Sequence, residues 1–199
     1  MNKTQFKNKI NNADEKDLIA LANEIMSTAI PWFFQNSFPN NAASLFGGFR
    51  TYMANKFSVP ATNVFIAGSA LLGFSFSPQK NLKLFGADSD IDIVIIDERL
   101  FNQYWDLLFK DYSMLNLAGD SYERLSKNIF KRFIDTNDYY YQNKNNYLKL
   151  IKQTDGYKKD LQILYHFPEK IGYRIYKTYD DYKTNLIKNL LDLKRGVSI

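Results

Sequence analysis

The sequence predicts an α+β domain in which a small mixed β-sheet carries acidic residues on one face and is flanked by helices. Three observations lead there. Two short runs rich in β-branched residues, 64–67 and 90–96, lie among segments whose apolar residues recur with a helical period. Neither an internal repeat nor a linker interrupts the 199 residues, a length that one hydrophobic core can serve. The composition, 45% hydrophobic and 24% charged, is that of an ordinary globular chain and excludes wholesale disorder.

In chain order, residues 14–30 form an amphipathic helix capped by Asn12 or Asp14, with Leu18, Ile19, Leu21, Ala22 and Ile25 as its apolar stripe. Pro31 and Pro39 bracket an aromatic link, Trp32-Phe33-Phe34. A second helix spans 42–57, weakened by Gly47-Gly48. Pro60 and Asn63 introduce a strand at 64–67, and a helical turn follows at 70–73. Residues 74–86 form a polar-aromatic loop with Pro78, Lys80 and Lys83. The clearest strand is 90–96; helices are expected at 97–111 and 121–134, and an Asn- and Tyr-heavy loop at 136–146. Alternation predicts a strand at 159–165. A further strand at 173–176 and a closing helix at 179–195 complete one domain over 1–199: N-terminal helices to 60, a core over 62–165 and a C-terminal strand and helix over 166–199.

Other classes are set aside by what is missing. With no cysteine, neither a disulfide scaffold nor a thiolate zinc site is available, and a reducing cytoplasm suits the chain. Residues 1–10 carry lysines but no apolar core of a secretory signal, and the longest apolar run, 93–96, is far too short for a bilayer, so no membrane partner is expected. A net charge of +5 suits polyanionic ligands without selecting one.

The chemistry concentrates in Asp88-Ser89-Asp90-Ile91-Asp92-Ile93. Side chains alternate along a strand, so Asp90 and Asp92 share a face about 6–7 Å apart, while Ile91 and Ile93 anchor the other. Two carboxylates so placed repel unless cations lie between them. An EF-hand loop beginning at Asp88 is excluded, because Ile93 stands where Gly is needed and Arg99 where Glu is needed. Upstream, Val64-Phe65-Ile66-Ala67-Gly68-Ser69 is a strand entering a Gly-Ser turn, where Gly permits close backbone approach to a ligand and Ser69 offers a hydroxyl.

A strand, a Gly-Ser turn and a helix, followed by Asp-hydrophobic-Asp-hydrophobic, resembles the signature of the polymerase-β-like nucleotidyltransferase superfamily. Gly68, Ser69, Asp90, Ile91, Asp92 and Ile93 carry the resemblance, which covers about a fifth of the chain. The spacing between Ser69 and Asp90 exceeds the superfamily's usual one, so 74–86 reads as an insertion over the site. The resemblance implies a nucleotidyltransferase fold and a third acid from a later strand beside the Asp-x-Asp strand. Asp160, on the strand expected at 159–165, fills that role. It further implies two Mg²⁺ ions, or Mn²⁺, held by Asp90, Asp92 and Asp160, with Gly68 and Ser69 on the triphosphate.

Lys127 and Lys131, on one face of the helix at 121–134 with Arg124, are candidate phosphate ligands, as are Lys80 and Lys83. His166, the only histidine, reads as structural. The tyrosines at 139–141, 147, 157, 173, 176, 179 and 182 read chiefly as core edges, with base stacking or nucleotide acceptance as the functional alternatives. The expected reaction moves an NMP or dNMP from a nucleoside triphosphate to a hydroxyl. That hydroxyl belongs to another nucleotide, giving an oligonucleotide or signalling nucleotide as in second-messenger and antiviral-defence members. Alternatively it belongs to a protein side chain, as in antitoxin-like members. The non-enzyme alternative is a nucleotide- or nucleic-acid-binding module. Because helices precede the Gly-Ser strand, the nucleotide acceptor leads.

Overall fold

Asn2 and Gln5 begin the molecule with a reciprocal cap: the Gln5 N–H donates to Asn2 and the Asn2 N–H to the Gln5 side chain, opening helix α1 (Lys3–Asn12), which the sequence periodicity had not marked. The computed structural model describes residues 1–114, 119–135, 148–168 and 170–196. The expected loop at 136–146, with Tyr139 to Tyr141, lies outside them.

The same cap recurs between Asp14 and Asp17 at the start of α2 (Glu15–Met26). This helix stops short of residue 30, its end marked by Ser27, whose hydroxyl donates to the Glu24 carbonyl. The aromatic link is itself helical: Pro31 caps α3 (Trp32–Ser37), which buries Phe33 and Phe34. Helix α4 (Ala42–Phe57) has the expected bounds and ends where Ser58 turns left-handed at φ 54°. Strand β1 (Val64–Ala67), the short α5 (Ser69–Leu72), strand β2 (Ile91–Ile96) and helix α6 (Glu98–Ser113) then follow close to their expected positions.

The helix expected at 121–134 is shorter and earlier. It is α7 (Gly119–Phe130), after which Arg132, at φ 59°, turns the chain into a strand, β3 (Phe133–Asp135). The strand expected at 159–165 is a misreading, since those residues are the last turns of α8 (Leu148–Tyr165). The alternation there is real, but Tyr157, Leu161 and Tyr165 also fall four apart, and it is they that are buried while Ile163 and Leu164 are exposed. Strand β4 (Ile171–Tyr176) and helix α9 (Tyr179–Lys194) close the chain.

Among the described residues four strands pair in the order β1-β2-β4-β3, with β2 and β4 parallel and both outer pairs antiparallel. Register gives the sheet two unlike faces. Val64, Ile66, Ile91, Ile93, Ile95, Ile171, Tyr173, Ile175 and Ile134 pack into the main core with aromatic residues of α3, α4, α6 and α8. The opposite face begins with the apolar cluster Ala67, Val94, Ile96, Tyr176 and Tyr182. Toward the start of β2 it becomes polar, with Asp92, Arg174 and Asp135. A second core joins α1 and α2 to α9 through Phe6, Ile10, Leu18, Leu21, Leu186 and Leu190, together with Phe74 and Phe76 of the loop after α5. Among the described residues, no helix is long and apolar enough to cross a membrane.

Candidate functional site

At Gly68 the backbone takes φ 64° and ψ −148°, a conformation that side chains rarely permit. A Cβ there would lie 2.7 Å from Oδ2 of Asp92, so the turn and the acidic strand meet at a point only glycine allows. Antiparallel pairing causes this approach, because Ala67 of β1 stands opposite Asp92 of β2. Ser69, 8% exposed, opens α5 beside them.

Gly68, Ser69, Asp90 and Asp92 line one cavity of about 310 Å³. Its remaining wall comes from the loop after α5, with Phe76 and Lys80, from Lys131 and Phe133, from Arg174 of β4, and from Tyr182, Asn185 and Asn189 of α9. The loop expected to lie over the site does so: the Lys80 ammonium donates to Asp90 at 3.3 Å. A wider, shallow depression of about 850 Å³ follows the outer surface of α6 and includes none of these residues.

The two aspartates are electrostatically unlike. Burial works against the Asp90 anion, but its own backbone N–H and Lys80 outweigh it and hold the carboxyl below its ordinary value. At Asp92 burial dominates and raises the carboxyl; Arg174 pulls it down, and Asp90 adds to the rise. Arg174 reaches Asp92 with Nη2 at 3.1 Å and Asp135 with Nε at 3.4 Å. Burial disfavours the guanidinium, yet those two carboxylates hold it protonated more firmly than usual.

The other expected ligands lie apart. Asp160 is on α8, outside the cavity, where its carboxylate accepts from the Tyr52 hydroxyl and pairs with Lys56 at 3.8 Å. Lys127 projects from α7, exposed and paired with Glu123 at 2.7 Å, whereas Lys131 reaches the cavity wall. His166 sits at φ 53° with its ring 5.4 Å from Phe38. Among the described residues, no three His, Cys, Asp or Glu side chains are grouped so as to hold a metal ion.

Sequence reasoning missed Arg174 and Asp135. The first carried a signal, being a lone charge within the apolar strand Ile171-Gly172-Tyr173-Arg174-Ile175-Tyr176. For the second the signal was weak, because Phe133-Ile134-Asp135 continues an apparent helical run. No protein-family model matches the chain, and no match is found among curated proteins or solved structures.

Proposed function

We propose that the chain is a Mg²⁺-dependent nucleotidyltransferase. The observation that carries this reading is the meeting of Gly68-Ser69 with Asp90 and Asp92 on one cavity whose other walls bear Lys80, Lys131 and Arg174. A triphosphate needs backbone approach, a hydroxyl and cationic side chains; a divalent ion needs carboxylates. All of these face the same space.

The donor set fits a cation. Asp92 is 14% exposed and its charged form is disfavoured where it stands, a penalty that a bound cation removes. Asp90 and Asp92 would hold the ion, which in such a place neutralises phosphate charge and eases ionisation of an attacking hydroxyl. Ser69 and the backbone of the Gly68 turn would orient the phosphates, with Lys80 and Lys131 adding positive charge. In the reaction the acceptor hydroxyl would lose its proton to solvent as its oxygen bonds to the α-phosphorus, the bond from that phosphorus to the bridging oxygen breaks, and pyrophosphate leaves. Asp160 has no part in it. The acceptor we favour is the hydroxyl of a second nucleotide.

Two observations favour a second reading, a nucleotide-binding module without turnover: Arg174 already pairs with Asp92, and Asp160 does not line the cavity. Incubation with each labelled NTP and dNTP, with Mg²⁺ or Mn²⁺, separates the possibilities. Soluble labelled product with pyrophosphate supports transfer to a nucleotide, and label on the protein supports transfer to a side chain. Binding without pyrophosphate supports the module. Asp90→Asn and Asp92→Asn are each expected to reduce pyrophosphate release at least a hundredfold; full activity in either would remove the assignment.

A further inference from the structure

We propose that Arg174 is the resident second cation of this site, so that the chain binds one divalent ion with its nucleotide rather than a pair. The inference rests on the nucleotidyl-transfer reading and specifies its metal count.

Position is the first argument. Strand β4 lies directly beside the Asp-x-Asp strand, where a third carboxylate was expected, and it presents an arginine on the Asp92 face. Val94 of β2 is in register with Arg174, which reaches back to Asp92, and Asp135 of β3 is in register with it from the other side. The guanidinium is thus clamped by carboxylates on both neighbouring strands, at 3.1 and 3.4 Å.

Charge is the second. Asp90, Asp92 and Asp135 surround two cations, Lys80 and Arg174. A pair of divalent ions sharing Asp92 would bring a second dication against a permanent positive charge already bonded to that carboxylate, and like charges so close repel strongly in a partly buried setting. A single ion held by Asp90 and Oδ2 of Asp92 need not approach the guanidinium, which pairs with Oδ1.

The third argument is reach. Arg174 lines the same cavity as Ser69 and Lys80, and a guanidinium presents paired donors that match phosphate oxygens. It therefore serves as counter-charge to Asp92 before binding and as a phosphate ligand afterwards.

The test counts Mn²⁺ per chain by electron paramagnetic resonance in the presence of an α,β-methylene nucleoside triphosphate, which cannot be turned over. Wild type and Arg174→Lys are each expected to retain one Mn²⁺, and Arg174→Asp, which restores a third acid, two. Arg174→Gln should weaken the analogue about ten- to a hundredfold. Two Mn²⁺ on wild type, or an Arg174→Gln protein that binds the analogue undiminished, overturns the inference while leaving nucleotidyl transfer standing. If wild type does not bind the analogue at any Mn²⁺ concentration, both fall. The wild-type count is decisive by itself should a variant fold poorly.

Discussion

Gly68 and Asp92 constrain one another. Alanine at 68 must adopt a positive φ and also displace a carboxylate from 2.7 Å, so Gly68→Ala should lower stability by about 1–3 kcal/mol and remove nucleotide binding. Denaturant unfolding and analogue titration check both effects. Gly47→Ala is the control, since nothing lies within 4 Å of its Cβ position and it sits inside α4; it should gain up to about 1 kcal/mol. The raised carboxyl of Asp92 carries a pH signature. Its neutral form is favoured in the fold, so its contribution is present below the ordinary carboxylate value and lost as pH rises through the raised one. A cation bound at Asp92 removes that penalty, so Mg²⁺ should raise the wild-type melting temperature more at pH 7 than at pH 4, and should raise that of Asp92→Asn less. Residue identities alone located Gly68, Ser69, Asp90 and Asp92, because a turn and an alternating strand are written in neighbouring positions. Arg174 was not legible in that way: a lone charge in an apolar strand marks it, but its place beside Asp92 depends on which strand lies next to β2, and adjacency between distant segments leaves no local trace.

Elements were read best where one period dominated. The bounds of α4 and β1 match their expected ones, and β2 and α9 differ from theirs by a residue at one end. The failure at 159–165 arose because alternation and four-residue spacing coexist over so short a run, and only packing against α4 decides between them. Tyr157 meets Phe57 with ring centroids 5.6 Å apart, and Tyr165 meets Phe49 at 5.8 Å. Asp160 reinforces that joint. Burial, and then its carboxylate, raise the Tyr52 hydroxyl, which therefore remains a protonated donor at any physiological pH. Asp160→Asn should consequently leave pyrophosphate release within about twofold of wild type. Its stability cost should be about 1 kcal/mol or less, since the carboxylate is 46% exposed and such pairs are weak. A loss of activity comparable with that of Asp92→Asn, in a protein that still melts normally, would return Asp160 to the site.

Across the whole molecule, α9 is the member shared by the site and the N-terminal helices. Its Leu186 and Leu190 enter the core built by α1 and α2, its Tyr182 joins the apolar cluster on the acidic face of the sheet, and Asn185 and Asn189 line the cavity. The Asn185 amide also donates to the Lys131 carbonyl at 2.7 Å, tying the turn before β3 to the same helix. The N-terminal helices thus share a core with the helix that lines the cavity. Leu190 is fully buried in the core shared with α1 and α2 and does not line the cavity, and Leu190→Ala should cost about 2–5 kcal/mol. If α9 couples the two cores, that variant unfolds in a single transition at lower denaturant and loses analogue affinity even though it alters no cavity residue. Trp32 offers the reporter: its ring lies against Gly73 and 5.7 Å from Phe85, at the base of the loop over the site. With Trp105→Phe as background, Trp32 fluorescence and far-ultraviolet circular dichroism should give coincident unfolding curves, both shifted upward by Mg²⁺ and the analogue. Separate transitions, with the ligand shifting only one, would show instead that the N-terminal helices fold apart from the sheet and that α9 transmits nothing between them.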